Sequence, residues 1–392
     1  MSVVAIISEY NPFHNGHKYQ IDRIRDELPG STIISIMSGN VVQRGEFAFI
    51  DKYTRARLAV ENGIDCVFEL PYPYSGSTAE IFATAGVKIA NSLGADYLYF
   101  GIESNNLNDI EKIAYAIDSD EYEKAIKLLV NESNESFPIL REKALKSLGI
   151  DVSNTSNDML AVEYIRAIKN NSLNLKYRAI KRVGAGYNDD TVCDLMSASA
   201  IRKQFYETGK ILSITNRSKK ILTDVLDNGE YVDVDNSNRL LLQHVILGGP
   251  VAIEKSFDCP SGLGHYIYGE AKKCSNTNEL SMISSKSITS ARIRRTLIYS
   301  LFGVENVDKE IMYTTLLAMN EKGKAFLSCI KKKTDIVVVT KHSDSKKLSK
   351  EALHVFELNC KVDELYQTLL KKSVQVESVY KKCPYIEKKN LG

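Results

Sequence analysis

The N-terminal segment joins a short strand to a helix through a turn that contains two histidines. Residues 3–7 (VVAII) form an apolar, β-branched run, which is typical of a buried strand in a parallel sheet. Residues 9–19 follow as EYNPFHNGHKY, and the apolar positions after Lys18 recur at helical spacing. The segment therefore predicts a strand–turn–helix unit with His14 and His17 at the N-terminus of the helix.

The two histidines suit a phosphate ligand. At a helix N-terminus the unpaired backbone N–H groups and the helix dipole favour an anion, and Gly16 lets the backbone approach it closely. Two imidazoles can donate hydrogen bonds to phosphate oxygens as negative charge builds up. A histidine pair is as often a metal site or a core group, but no Cys or further His lies near residues 3–19 to complete a zinc site. The pattern therefore favours a nucleotide phosphate over a metal.

The composition is that of an ordinary globular protein. The 392 residues, 44% hydrophobic and 26% charged, predict two or more domains. No apolar run reaches the roughly 20 residues of a membrane span, and the N-terminus lacks a basic leader and a cleavage site, so we expect a cytoplasmic protein with no membrane partner. The seven cysteines form no C-x-x-C pair, which predicts reduced thiols rather than disulfides or a zinc ribbon.

Positive charge is concentrated at the C-terminal end. The formal net charge is only +2, yet residues 321–392 contain 16 Lys and Arg against 9 Asp and Glu. Such a surplus can steer a polyanion towards this region. A solvated lysine-rich surface gives the same pattern, and on charge alone it is the commoner explanation.

Strands and helices alternate through the first half of the chain. The patterns predict further strands at residues 31–37, 66–70, 96–100 and 177–180, and helices at residues 51–62 and 78–93. Residues 106–170 are predicted to be mostly helical, and helical patterns dominate from Ser197 onward. The alternation predicts a doubly wound, Rossmann-like parallel α/β sheet. Ligands bind such sheets beyond the carboxyl ends of the strands, where His14, Ser38, Gly101 and Arg182 are predicted to lie.

Ordered sequence blocks along nearly the whole chain resemble one family. The blocks are EYNPFHNGH at 9–17, MSGN at 37–40, VQRGE at 42–46, DKY at 51–53, ELP at 69–71, AEIFA at 79–83, FGIE at 100–103, SND at 156–158, KRVGAGY at 181–187 and SASAIR at 197–202. Together they resemble the tRNA(Met) cytidine acetate ligase family, a branch of the HIGH-motif nucleotidyltransferase superfamily. The resemblance implies an enzyme that activates acetate with ATP as acetyl-adenylate, releases pyrophosphate, and transfers the acetyl group to N4 of the wobble cytidine of elongator tRNA(Met).

The resemblance also implies the domains and the partners. A catalytic domain of the HIGH nucleotidyltransferase type is expected at residues 1–205, followed at residues 206–392 by a mainly helical, basic domain that binds tRNA. ATP is the implied co-substrate, with Mg²⁺ carried by its phosphates. Elongator tRNA(Met) and acetate are the other implied substrates, and neither a protein partner nor a protein-bound metal is implied.

The resemblance assigns the catalytic role to His14 and His17, which would hold the triphosphate and stabilise the developing charge. The implied ATP contacts are the loop Ile7, Ser8, Glu9, Tyr10, Asn11, Pro12, Phe13, His14, Asn15, Gly16, His17, Lys18, Tyr19 and Gln20, together with Gly101, Asn157, Arg182, Ser197, Ser199 and Arg202. The last three belong to a second signature, in which hydroxyls at a helix N-terminus suit the β- and γ-phosphates. The residues alone leave other roles open: Gly101 is also typical of a turn, and Asn157 or Asp158 of a helix N-cap.

Four arginines are candidate tRNA contacts. Arg44 lies in a Gly-containing loop beside the predicted cleft, where it would face acetate or tRNA, although a plain surface charge is the commoner case. Residues 288–297 (ITSARIRRTL) resemble a basic helix of the family, and Arg292, Arg294 and Arg295 would contact tRNA phosphates. An amphipathic core helix with a basic outer face is the alternative.

Two other functions use the same histidine loop. A small-molecule adenylyltransferase needs little beyond about 200 residues, a one-domain size, so the additional basic region counts against it. A non-catalytic RNA-binding relic is the third possibility, and the intact His14, Gly16, His17 and Arg202 argue against decay.

Overall fold

The computed structural model describes residues 2–104, 106–152, 155–182 and 196–387. The strands in these residues are β1 (Val3–Ser8), β2 (Thr32–Ser38), β3 (Val41–Val42), β4 (Glu46–Phe47), β5 (Cys66–Leu70), β6 (Tyr97–Ile102), β7 (Lys176–Lys181), β8 (Tyr313–Met319), β9 (Val337–Val339) and β10 (Tyr385–Ile386). The helices are α1 (Asn15–Glu27), α2 (Lys52–Glu61), α3 (Ala79–Ser92), α4 (Leu107–Ile117), α5 (Asp120–Glu132), α6 (Phe137–Ser147), α7 (Ser156–Asn170), α8 (Ala198–Thr208), α9 (Asn216–Asp227), α10 (Val234–Glu254), α11 (Leu263–Ala271), α12 (Thr277–Met282), α13 (Ser290–Phe302), α14 (Glu321–Ile330) and α15 (Lys350–Gln367).

The main sheet has the strand order β10-β8-β5-β2-β1-β6-β7, and β9 pairs with β8 beside this path. Strands β5, β2, β1, β6 and β7 run parallel, as the alternating sequence pattern predicted. Their carboxyl ends therefore share one edge of the sheet, with β1 in the middle between β2 and β6. Ligands of open α/β sheets bind at such an edge.

The two faces of the sheet carry separate helical layers. Successive side chains of a strand point to opposite faces, so Ala5 packs into a core with α3 and α7, whereas Val4 packs into a second core with α1 and α2. Both residues are fully buried. Because helices cover both faces, every residue of β2 and β5 is buried, rather than every second one. The predicted doubly wound α/β class is confirmed.

The sequence patterns did not predict the strands that the C-terminal part of the chain adds to this sheet. Strand β8 pairs antiparallel with β5, Cys66 lying opposite Met319, and β10 pairs in parallel with β8. Within the described residues, the region after residue 205 thus combines the end of α8 and helices α9 to α15 with three strands. The division into units at residues 1–205 and 206–392 stays a prediction.

The carboxyl edge of the sheet is held in place by a buried arginine of α2. The Arg55 guanidinium donates to the backbone carbonyls of Glu9, Ser38 and Gly39, which follow or end β1 and β2. Its Nε donates to the carbonyl of Ile50 at 3.0 Å. Buried carbonyls need such donors, so Arg55 fixes where the loops after β1 and β2 begin.

Every helix in the described part of the chain is too short or too polar to cross a bilayer.

Candidate nucleotide-binding site

His14 and His17 cap the first turn of α1 reciprocally. His14 is the N-cap residue, and its Nδ1 accepts a hydrogen bond from the Gly16 N–H at 3.0 Å. The Nδ1 of His17 accepts in turn from the His14 N–H at 3.3 Å. Side chains that accept from free N–H groups stabilise helix starts. Because both Nδ1 atoms act as acceptors, each neutral ring carries its proton on Nε2.

Both rings are held neutral by their surroundings. Burial and the nearby Arg182 guanidinium lower the pKa of His14 to about 3. Burial, His14 and Arg182 hold the pKa of His17 well below its ordinary value. The rings stack with centroids 3.8 Å apart, and Tyr10 packs edge-on against His17 at 4.8 Å. The site therefore contains two neutral Nε2–H donors in fixed orientation.

Other residues of the predicted ATP loop stabilise its conformation through buried contacts. Tyr10 and Phe13 are buried in the core, and the Asn11 amide oxygen accepts from the Phe49 N–H at 2.7 Å. Lys18 instead pairs with Asp22 on the surface of α1, and the Gln20 amide lies 3.5 Å from the Tyr99 carbonyl oxygen.

Gly101 lies inside β6, opposite Ile180 of β7, and not in a turn, so the turn interpretation is wrong. A Cβ atom at this position would lie 3.1 Å from the Arg182 Cγ. Because Gly101 has no side chain, the aliphatic part of the Arg182 side chain packs directly against the end of β6. This position brings the Arg182 guanidinium near the two histidines.

Asn157 and Arg182 meet at the start of α7. Arg182 Nη1 donates to the Asn157 Oδ1 at 3.2 Å, and the Asn157 amide donates to the Glu103 carboxylate. These contacts bring the two predicted nucleotide residues together at the ends of β6 and β7.

The N-cap of α7 is Thr155, so the N-cap interpretation of Asn157 or Asp158 is wrong. The Thr155 hydroxyl accepts from the Asp158 N–H, and the buried Asp158 carboxylate is free to accept from the backbone N–H groups of Glu103 and Ser104. Asp158 thereby ties the loop after β6 to α7.

The second signature packs against the histidine loop. Ser197 caps α8 by accepting from the Ala200 N–H at 3.2 Å, and its hydroxyl lies 3.1 Å from that of Ser199. Arg202 Nη1 donates to the Asn11 carbonyl at 2.7 Å. Helix α8 thus contacts the loop that leads into α1. The GAG motif at 184–186 lies outside the described residues.

The candidate tRNA arginines are engaged within the protein. Arg44 donates to the Ser156 hydroxyl at 2.6 Å, and Arg292 pairs with Asp258 at 2.6 Å. Arg294 pairs with Glu46 at 3.3 Å. Burial lowers the pKa of Arg295. Helix α13 forms as predicted, and the residues that bury its inner face are Ile293, Thr296, Leu297, Ile298 and Tyr299.

Glu46 and Arg55 are site-organising residues that the sequence interpretation missed. Arg55 fixes the strand ends, and Glu46 forms ion pairs with both Arg202 and Arg294. The only sequence signal for Glu46 is its place in the VQRGE block, whose role depends on contacts distant in sequence.

A parallel sheet with a histidine-capped helix after its central strand, and a second capped helix against the same loop, defines a nucleotide-binding protein of the HIGH type. The model of the family described as HIGH Nucleotidyl Transferase matches residues 1–381. Relatives named tRNA(Met) cytidine acetate ligase include one from Thermoanaerobacter sp., 35% identical, which covers 95% of this chain and 96% of its own. Another, from Clostridium acetobutylicum, is 33% identical over 87% of this chain and 90% of its own. The chain belongs to the tRNA(Met) cytidine acetate ligase family.

Solved structures agree with this assignment. Crystal structures of Thermotoga maritima TmcAL, one bound with alpha-thio ATP and one apo, each superpose with a TM-score of 0.89 and 28% sequence identity. Each comparison covers 98% of this chain and 99% of the other.

Proposed function

We propose that the chain is an ATP-dependent ligase that acetylates N4 of the wobble cytidine of elongator tRNA(Met). The observation that carries the proposal is the pair of neutral, mutually capped imidazoles of His14 and His17 beside Arg182, in a chain whose relatives bear this activity in their names. Because the proposed substrate is a tRNA, we also propose a cytoplasmic location.

The first proposed step forms acetyl-adenylate. An acetate oxygen attacks the α-phosphorus of ATP, the bond to the β-phosphate oxygen breaks, and pyrophosphate leaves. Such a step needs positioning and stabilisation of charge rather than a protein nucleophile. The Nε2–H groups of His14 and His17 donate to the oxygens on which charge builds, and Arg182 adds a fixed positive fork.

The β- and γ-phosphates are assigned to the start of α8. Its free N–H groups, the hydroxyls of Ser197 and Ser199, and the Arg202 guanidinium suit two adjacent phosphate groups. A magnesium ion carried by these phosphates would offset their charge. The described residues contain no group of three His, Cys, Asp or Glu that could hold a metal ion by themselves.

The second proposed step transfers the acetyl group. The N4 atom of cytidine attacks the acetyl carbonyl carbon, the bond between that carbon and the phosphate oxygen breaks, and AMP leaves. The proton that N4 loses passes to solvent. Arg44 beside α7 and the arginines of α13 are the proposed positions at which tRNA phosphates approach the adenylate.

The test is incubation of the purified full chain with magnesium-ATP, labelled acetate and unmodified elongator tRNA(Met), followed by nucleoside mass spectrometry. The expected product is N4-acetylcytidine, formed only when ATP and acetate are both present. The matched control is the same tRNA with uridine at the wobble position, which should remain unlabelled. Acetate-dependent pyrophosphate release without acetylation would overturn the assigned acceptor, and absence of both would overturn the proposal.

A further inference from the structure

Glu46 lies at the junction between the candidate nucleotide site and the candidate tRNA helix. One of its carboxylate oxygens is 3.7 Å from Arg202 Nη2, and the other is 3.3 Å from Arg294 Nη2. The side chain is 36% exposed, whereas those of Arg202 and Arg294 are 22% and 19% exposed. One carboxylate thus pairs with two arginines on different helices. Arg202 is proposed to bind the triphosphate, and Arg294 is proposed to bind tRNA.

The hairpin that carries Glu46 is anchored on both sides. The Gln43 N–H donates to the Glu9 carboxylate at 2.9 Å, which ties the hairpin to the loop after β1. On the other side the Arg44 carbonyl accepts from Arg294 Nε at 3.4 Å. Gly45, at φ +72°, lies so close to α13 that a Cβ atom there would approach the Arg295 backbone nitrogen to 2.5 Å. The backbone of the hairpin that carries Glu46 is therefore fixed between the loop after β1 and α13.

The two arginines have further partners that limit their own movement. Arg202 donates to the Asn11 carbonyl, and the buried carboxyl group of Glu9 lies in its vicinity. Arg294 donates to the carbonyls of Arg44 and Ser281. When a phosphate binds either guanidinium, the main change is therefore that this arginine's ion pair with Glu46 weakens.

We propose that Glu46 is a positioning residue that makes triphosphate binding at Arg202 oppose tRNA binding at Arg294. This proposal rests on the proposed function of the site. When the triphosphate takes Arg202, the whole charge of Glu46 acts on Arg294 and on nearby RNA phosphates, so tRNA binds less tightly. When pyrophosphate has left, Arg202 returns to Glu46, Arg294 becomes available, and tRNA binds the adenylate state more tightly. Acetate activation thereby precedes tRNA docking.

The test compares tRNA affinity with two nucleotides bound to the full-length protein. Fluorescence anisotropy would give the Kd of elongator tRNA(Met) with saturating α,β-methylene-ATP and with saturating AMP, which lacks the β- and γ-phosphates. The ratio is the Kd with α,β-methylene-ATP divided by the Kd with AMP. We expect this ratio to be on the order of 5 in the wild type, which is a modest coupling between two sites. A wild-type ratio of one would overturn the proposal.

The variants separate the role of Glu46 from a general charge effect. In Glu46→Gln and in Arg294→Ala the ratio should fall towards one, because either change removes one arm of the bridge. The matched control is Glu310→Gln, which removes an equal charge from a surface pair with Lys88 and should keep the wild-type ratio. A Glu46→Gln ratio equal to that of the wild type would overturn the proposal.

Two further measurements separate this proposal from the proposed function. Arg202→Ala should raise the Kd of α,β-methylene-ATP; an unchanged value would overturn the bridge, because Arg202 would then not contact the triphosphate. Formation of N4-acetylcytidine by the wild type is scored independently of all Kd ratios. The bridge can therefore fail while the ligase activity stands.

Discussion

At the scale of single residues, the site depends on how two histidines are protonated. Each ring uses Nδ1 to cap α1, so the proton of each neutral ring resides on Nε2. A neutral donor does not need the counter-charge that a buried imidazolium would require. The capping contacts thus set both the position of the rings and the atom that can donate to a phosphate.

His17→Ala removes one of these two donors. We expect the rate of acetate-dependent pyrophosphate release to fall on the order of 100-fold, the typical effect of losing one donor to developing charge. The loss of a cap on the His14 N–H should cost only about 1 kcal/mol of stability, so circular dichroism should show an intact fold. His354→Ala, on the exposed side of α15, is the control, and wild-type turnover in His17→Ala would contradict the assigned role.

The lowered pKa of His14 predicts a pH dependence of stability. Between its folded pKa of about 3 and its ordinary value of 6.5, the unfolded chain binds a proton that the folded chain does not. The free energy of unfolding therefore falls as the pH drops below 6.5, and His14 contributes a loss of about 2 kcal/mol between pH 7 and pH 5.

Urea unfolding at both pH values measures this loss. In His14→Asn the cap on the Gly16 N–H is kept by another good N-cap residue without a titrating group, so the variant should lose about 2 kcal/mol less than the wild type on acidification. Equal losses in the two proteins would show that His14 titrates normally in the folded state.

The sequence correctly placed His14 and His17 at the start of a helix, but it did not predict the contacts around them. His14 and His17 follow a strand within a local turn, so nearby residues determine their place. The start of α7 was harder, because Thr155, Ser156, Asn157 and Asp158 are all good N-cap residues. Which of them caps the helix depends on the distant loop after β6, where Asp158 is needed to accept from Glu103 and Ser104.

At the scale of elements, α15 is attached to the carboxyl edge of the sheet through buried charges. Lys52 of α2 lies 2.6 Å from the Glu69 carboxylate of β5 and 2.6 Å from the Asp363 carboxylate of α15. All three side chains are buried, and Asn40 also donates to Asp363 at 2.9 Å. Burial raises the pKa of Asp363 to about 6 although Lys52 opposes this shift.

Lys52→Met should therefore be strongly destabilising. It leaves two carboxylates buried without a counter-charge, and we expect the free energy of unfolding in urea to fall by about 3–5 kcal/mol at pH 7.5. Lys88→Met removes a lysine that pairs with the exposed Glu310 and should cost less than about 1 kcal/mol. Adding Asp363→Asn to Lys52→Met should recover part of the loss; a loss below 1 kcal/mol in the single variant would show that the triad contributes little.

Helix and strand positions in the first half were largely predictable, whereas β8 was not assigned. Residues 313–319 (YTTLLAM) are compatible with a strand, but short apolar runs do not reveal their period or their partner. The pairing of Cys66 with Met319 joins residues far apart in the chain. The edge of β5 that lacks another partner strand determines this pairing, and a local sequence pattern does not identify that edge.

At the scale of the whole molecule, the C-terminal part completes the sheet on which the candidate nucleotide site lies. Strand β8 covers the edge of β5, Asn359 of α15 exchanges two hydrogen bonds with the Tyr72 backbone, and Tyr366 donates to the Ala48 carbonyl at 2.9 Å. The proposed catalytic and tRNA-binding regions are thus separate in sequence but share one core. Two functions can occupy this fold without two independently stable halves.

A fragment of residues 1–205 should consequently fail to fold alone. It leaves β5 as an open edge with apolar residues such as Phe68, which favours aggregation, and it removes Asp363 from the buried Lys52. We expect the fragment to be insoluble or to lack a cooperative thermal transition, and co-expression with residues 206–392 to restore a complex that binds α,β-methylene-ATP. The control is the full-length chain, which should unfold cooperatively and bind the same nucleotide. A monomeric 1–205 fragment that unfolds cooperatively and binds the nucleotide would instead show an autonomous catalytic domain, and β8 would then be an accessory strand rather than part of its core.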